Sequence, residues 1–95
     1  MIKKLKVKTI GTCYWMNEKA LDLVHKFNAS GMVLYLDVYE DYQSRTLEDI
    51  MEEGMYDYSF NKENELSEEF LIMLDEAEGY ARFLDLTPEV VEIVG

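Results

Sequence analysis

Residues 32–39, Met-Val-Leu-Tyr-Leu-Asp-Val-Tyr, alternate strictly in side-chain direction if extended, and both faces then carry bulk. Met32, Leu34, Leu36 and Val38 would share one face; Val33, Tyr35, Asp37 and Tyr39 would share the other. A strand apolar on one side and aromatic on the other belongs in the middle of a sheet, not at its margin. The rest of the chain has to be arranged around that strand.

Upstream, Leu5, Val7 and Thr9 alternate with lysines, which predicts a half-buried strand over about residues 2–10, with an extension past Gly11 toward Cys13 allowed. Asn17 is a good helix cap, with Met16 and Leu21 placed as a hydrophobic staple. Ala20, Leu23, Val24 and Phe27 then follow at helical spacing, and Gly31 suits the turn after the helix. Downstream, Thr46 caps a short helix with Leu47, Ile50 and Met51 inward and Gly54 past its end. Tyr56, Tyr58 and Phe60 alternate with Asp57 and Ser59 as a third strand. The longest helix is expected from about Glu68 to Leu84, capped by Ser67 and stapled by Leu66 and Leu71. Its apolar stripe is Phe70, Leu74, Ala77, Ala81 and Leu84, and Ile72 and Phe83 fall nearly opposite.

The carboxyl-terminal segment gives two signals. Thr87-Pro88-Glu89 is a helix start, whereas Val90-Val91-Glu92-Ile93-Val94 has the composition of a strand. The start signal favours a short helix. The order β-α-β-α-β-α predicts one domain over residues 1–95, a small α+β sandwich with two or three helices covering a three- or four-stranded sheet.

Charge is split along the chain. Residues 1–30 hold six lysines against Glu18 and Asp22, a net of +4, while residues 31–95 hold eighteen acids against Arg45, Lys62 and Arg82, a net of −15. A field this negative repels nucleic acid and anionic membranes and attracts basic surfaces. Direct nucleic-acid binding is disfavoured, because Lys4, Lys6 and Lys8 form too small a stripe to offset the acids. That stripe is expected to pair with the chain's own acidic surface, or with that of a second copy in a homodimer. The acidic part is rich in tyrosine and phenylalanine, so it reads as an ordered domain.

No run approaches a membrane span, and the lysine-rich start never becomes a continuous apolar stretch of signal-peptide type. Cys13 stands alone, which excludes an internal disulfide framework and fits a reducing compartment; the expectation is a cytoplasmic protein. Asn28-Ala29-Ser30 has the form of a glycosylation sequon but reads as a helix end.

Enzyme and cofactor motifs are not found. Gly11 to Trp15 faintly echoes a papain-type nucleophile, but the chain is too short for the downstream His. One Cys and one His cannot close a structural zinc site, and His25 falls on a polar helix edge. Asp37, Glu40 and Asp41 lack the spacing of a calcium loop. Phosphate-cradling glycine loops are missing. The expectation is therefore no catalytic residue, no metal and no cofactor.

The acids themselves have two explanations. They are a solvated face that keeps the domain soluble, or they are a phosphate-like surface for a basic site. Carboxylates one helical turn apart lie about 5–6 Å from each other, near the scale of backbone phosphates. Tyrosines interleave with them in Tyr39-Glu40-Asp41-Tyr42, and aromatics supply binding energy that bare charge does not. Under this reading Glu40, Asp41, Glu48, Asp49, Glu52, Glu53 and Asp57 carry the contact, with Tyr39 and Tyr42 as anchors. In small size, strong acidity and cysteine poverty the chain resembles inhibitors carried by phages and other mobile elements, which mimic DNA against restriction, repair or CRISPR nucleases. That resemblance implies a non-enzymatic protein that binds and blocks a basic nucleic-acid enzyme. The alternative is a self-assembling structural or adaptor module, using Ile72 and Phe83 as a second interface.

Overall fold

The computed structural model describes residues 1–12, 16–76 and 85–93. Strands β1 (Ile2–Val7) and β2 (Ile10–Gly11) precede helix α1 (Glu18–Ser30), strand β3 (Leu34–Val38) and a 3₁₀ turn (Glu40–Tyr42). Helix α2 (Leu47–Glu53), strand β4 (Tyr56–Phe60), helix α3 (Glu65–Glu76) and strands β5 (Asp85–Leu86) and β6 (Glu89–Ile93) complete the order. Four strands form an antiparallel sheet in the order β4-β3-β1-β6, and β2 pairs separately with β5. The molecule is a small α+β domain, and the Leu34–Val38 run lies inside its sheet as its two bulky faces require.

Register decides which face does what. Leu34, Leu36 and Val38 lie opposite Phe60, Tyr58 and Tyr56 on β4, and β1 adds Leu5 and Val7. These side chains face α1 and α3 in one core with Ala20, Leu23, Val24, Phe27, Ile50, Phe70 and Leu74. Phe27, Phe60 and Phe70 meet with ring centroids 5.4–6.2 Å apart and lock α1, β4 and α3 together. The opposite face of the sheet carries Lys4, Lys6, Tyr35, Asp37, Asp57 and Ser59, all half-buried or exposed.

The helix ends follow local chemistry. The Asn17 side chain accepts the Ala20 N–H at 2.8 Å, and the Thr46 hydroxyl accepts the Asp49 N–H at 3.2 Å. Gly31 and Gly54 close α1 and α2 at φ +73° and +65°, a region that L side chains enter only at a cost. Asn28, near the end of α1, also ties β2 to the helix. Its side-chain amide accepts the Ile10 N–H at 2.9 Å and donates to the Ile10 carbonyl at 2.8 Å.

Three expectations need correction. The last helix begins at Glu65, because Asn64 is its cap: the Asn64 side chain accepts the Ser67 N–H at 3.0 Å, and the Ser67 hydroxyl accepts the Asn64 N–H at 2.9 Å. Ser67 is thus a buried residue of the first turn, and Leu66 packs on the core from inside the helix. The carboxyl-terminal segment is a strand, not a short helix. β-Branched Val90, Val91 and Ile93 suit extension, and the lysine strand supplies a complementary partner with Lys6 opposite Glu89 and Lys4 opposite Glu92. Finally, the first strand stops at Val7 and resumes at Ile10, where it pairs with Leu86. Cys13, Ala77, Ala81, Phe83 and Leu84 lie outside the described residues.

Candidate functional site

The acids singled out above leave the sheet together. β3 ends at Val38, whose register partner Tyr56 opens β4, so residues 39–55 form an excursion closed at its base by one strand pair. The Tyr39 N–H donates to the Met55 carbonyl at 3.2 Å across that base. Glu40 and Asp41 lie on the 3₁₀ turn, Glu48, Asp49, Glu52 and Glu53 on α2, and Asp57 on β4 just past the closure. Glu40, Asp41, Glu48, Glu52, Glu53 and Asp57 are exposed, and Asp49 is half-buried beneath its bond to Thr46. Buried Ile50, with Leu47 and Met51 against the core, pins α2 in place.

The two tyrosines expected as anchors sit differently. Tyr39 is 44% exposed, and its hydroxyl donates to the Asp57 carboxylate at 2.8 Å. That bond, and the negative charge behind it, holds the phenol above its ordinary pKa. Tyr42 is half-buried on the core, with the Arg45 guanidinium 5.9 Å above its ring. Tyr56 and Tyr58 line the core face of β4 with rings in edge contact, and burial raises both phenols.

Folding also brings in residues that sequence reasoning does not place here. Asp37 lies directly opposite Asp57 across β3 and β4, on the open face of the sheet. Like charges so placed repel. Each has a donor: Ser59 Oγ donates to Asp37 at 2.8 Å, Lys4 Nζ lies 3.5 Å from Asp37, and Tyr39 serves Asp57. Lys4 also sits 4.7 Å from the Tyr35 ring centroid. The alternation of 34–38 signals that Tyr35 and Asp37 leave the core; only the register shows that they meet Asp57.

Three lysines are engaged elsewhere. Lys4 pairs with Asp37, Lys3 with Glu92 at 3.4 Å, and Lys26 with Asp22 at 2.9 Å, the last lifting the lysine pKa. None of the seven acids between Glu40 and Asp57 forms an ion pair with a described lysine or arginine.

Local rules are broken in α2. Glu48 and Glu52, and likewise Asp49 and Glu53, are i,i+4 like-charge pairs, each destabilising by a few tenths of a kcal/mol. Glu52 and Glu53 also occupy the last turn, where the helix dipole favours cations, and no basic residue stands there. Glu48 and Asp49 suit the first turn of this helix; the second pair does not.

Elsewhere, Ile72 is 51% exposed and lines a shallow cavity of about 280 Å³ between α1 and α3 with Lys19, Asp22 and Lys26. Phe83, named with it as a second interface, is outside the described residues. His25 is exposed on α1. Among the described residues no three His, Cys, Asp or Glu side chains are grouped as metal ligands, and no helix is long and apolar enough to cross a membrane. No protein-family model, curated protein or solved structure matches the chain.

Proposed function

We propose that this chain is a non-enzymatic, cytoplasmic interaction protein that binds and blocks a basic nucleic-acid-handling protein, acting as a DNA mimic of the phage or mobile-element type. The observation that carries the reading is the excursion at residues 39–55 with Asp57 just past its base, where seven acids stand with one arginine and none is ion-paired with a described base. Carboxylates on successive turns of α2 offer a phosphate-like spacing, and Tyr39 supplies an aromatic edge fixed by Asp57. The unfavourable placement of Glu52 and Glu53 supports it further, since acids kept against the helix's own preference are expected where function sets the choice.

The test is a tagged pull-down from the source cell, eluted first with DNA and then with salt. A basic nucleic-acid enzyme released by DNA is the expected result. E52K/E53K should then weaken capture and flatten its salt dependence; unchanged affinity would remove α2 from the interface. A second reading, self-assembly, rests on adjacent Leu71 and Ile72, both exposed on α3. Sedimentation that shows only monomer at high concentration would dispose of it.

A further inference from the structure

The sheet has a second distinctive margin, at the opposite edge from the acidic excursion. β6 is the last strand in the order β4-β3-β1-β6, and among the described residues no strand pairs with its outer edge. All five of its residues are exposed, with Val90 at 37%, Val91 at 43% and Ile93 at 66%. Edge strands are ordinarily blunted by charged side chains, proline, bulges or a short length. The guards on β6 are acidic, Glu89 and Glu92, with a register shift against β1 and Pro88 just before the first residue, so what they leave open is an approach by basic chemistry.

The charges on β6 select its occupant. Its inner neighbour β1 shows what chemistry it accepts: Lys6 lies opposite Glu89, Lys4 opposite Glu92, and Lys3 Nζ is 3.4 Å from the Glu92 carboxylate. The Glu92 side chain still keeps about half of its surface open, at 51%. A second β6 would be a poor partner. Antiparallel pairing centred on Val91 sets each Glu92 against an apolar Val90 and adds two more glutamates to the ladder, between chains that each carry −11.

We propose that the outer edge of β6 is a strand-addition site for an extended basic segment of a partner, with lysines or arginines alternating with aliphatic residues as they do in β1. Backbone N–H and C=O groups of β6 supply the pairing, Glu89 and Glu92 read the basic side chains, and Val90 and Ile93, which meet Leu5 and Ile2 on the inner side, cover the aliphatic ones. This site is separate from the stretch at residues 39–57 and stands or falls without it.

The probe is a peptide with the sequence of β1, Ile-Lys-Lys-Leu-Lys-Val, added to the full chain while amide exchange is followed residue by residue. The expected result is slowing of outward-facing β6 amides by about tenfold or more, with the effect lost at high salt. A peptide with its lysines replaced by threonine should have little effect. Val91→Lys should abolish the slowing while leaving protection of β3 intact, which verifies that the variant is folded. The proposal is overturned if the lysine peptide leaves β6 exchange unchanged, or if the threonine peptide protects equally well. It is also overturned if β6 becomes protected with rising protein concentration alone, which would make a second copy the occupant. Loss of protection in β1 would overturn it too, because the peptide would then replace that strand and not extend the sheet. E52K/E53K should respond to the peptide as the unmodified chain does, so failure here and failure of the pull-down are told apart.

Discussion

Reversing the two acids in the last turn of α2 should make the isolated protein more stable while making it a poorer binder. In E52K/E53K the like-charge pairs Glu48/Glu52 and Asp49/Glu53 become acid-to-lysine pairs in the favourable i,i+4 order. Removing a repulsion and adding an attraction of about 0.2–0.5 kcal/mol each gives a swing of about 0.4–1 kcal/mol per pair. Cations in place of anions at the helix end add about 0.3–1 kcal/mol per residue at low ionic strength. The contributions share the same two charges and overlap, so a gain of about 2 kcal/mol is expected. The Thr46 cap and the buried Ile50 are untouched, so α2 keeps both its start and its anchor. The assay is thermal unfolding followed by far-ultraviolet circular dichroism at low salt. For a domain of this size, about 2 kcal/mol raises Tm by roughly 8–16 °C. In about 1 M salt the gain should shrink to a small fraction, because the Debye length falls to about 3 Å. An unchanged or lowered Tm at low salt would refute the reasoning. So would a gain that survives high salt, since its origin could not then be the surface charge of α2.

Other consequences follow from the packing and hydrogen bonds. Phe70→Ala removes a fully buried ring held between Phe27 and Phe60 and should cost about 3–5 kcal/mol in urea unfolding; a loss under about 2 kcal/mol would mean that the three rings do not bind α3 to the sheet. Asn28→Ala strips both backbone groups of Ile10 of their partner and should cost about 1–3 kcal/mol, with faster exchange of the Ile10 amide. Asn64→Ala should destabilise by about 1 kcal/mol through loss of the α3 cap, and a neutral result would return that role to another residue. The contribution of three phenols to stability should be level up to the ordinary tyrosine pKa of about 10 and fall above it. Tyr39, Tyr56 and Tyr58 are all held protonated more firmly in the fold than in the unfolded chain, so the unfolded state loses its protons first as pH rises. Tyr39→Phe should remove part of that alkaline loss, and an unaltered pH profile would exclude the Asp57 bond as a contributor.

Much of the fold is legible in the sequence because its signals are local. Asn17 and Thr46 cap the helices they precede, Gly31 and Gly54 close them, and the 34–38 alternation sets the central strand. The misread elements share a cause. Asn64 and Ser67 are both competent caps three residues apart, and only their mutual bonds show that they act as a pair, with Asn64 outside the helix. Pro88 suits a helix start and a strand entry equally; what decides is pairing with β1, which joins Ile93 to Ile2 across nearly the whole chain. The acids of the candidate surface could be named from composition, but the approach of Asp37 to Asp57 depends on a register between residues about twenty apart.

That register bears on the meaning of the charge split. The amino-terminal lysines, an isolated basic stripe in sequence, lie between acids once the sheet forms: Lys4 meets Asp37 on one side and Lys3 meets Glu92 on the other. Those pairs are open to solvent on at least one side, so they add little to stability. Their effect is on the field. Each local pair cancels much of that lysine's reach, so Lys3 and Lys4 do little to soften the potential around α2. A chain selected only for solubility would gain from spreading its lysines among its acids, lowering self-repulsion at no cost to the fold. Here Lys3, Lys4 and Lys6 sit on the inner strand β1, and the stretch from Tyr39 to Asp57 is left with Arg45 alone, turned over the Tyr42 ring. The proposed recognition reading therefore rests on the acids from Glu40 to Asp57, none ion-paired with a described base, and not on the net charge, which a purely solubilising surface would share.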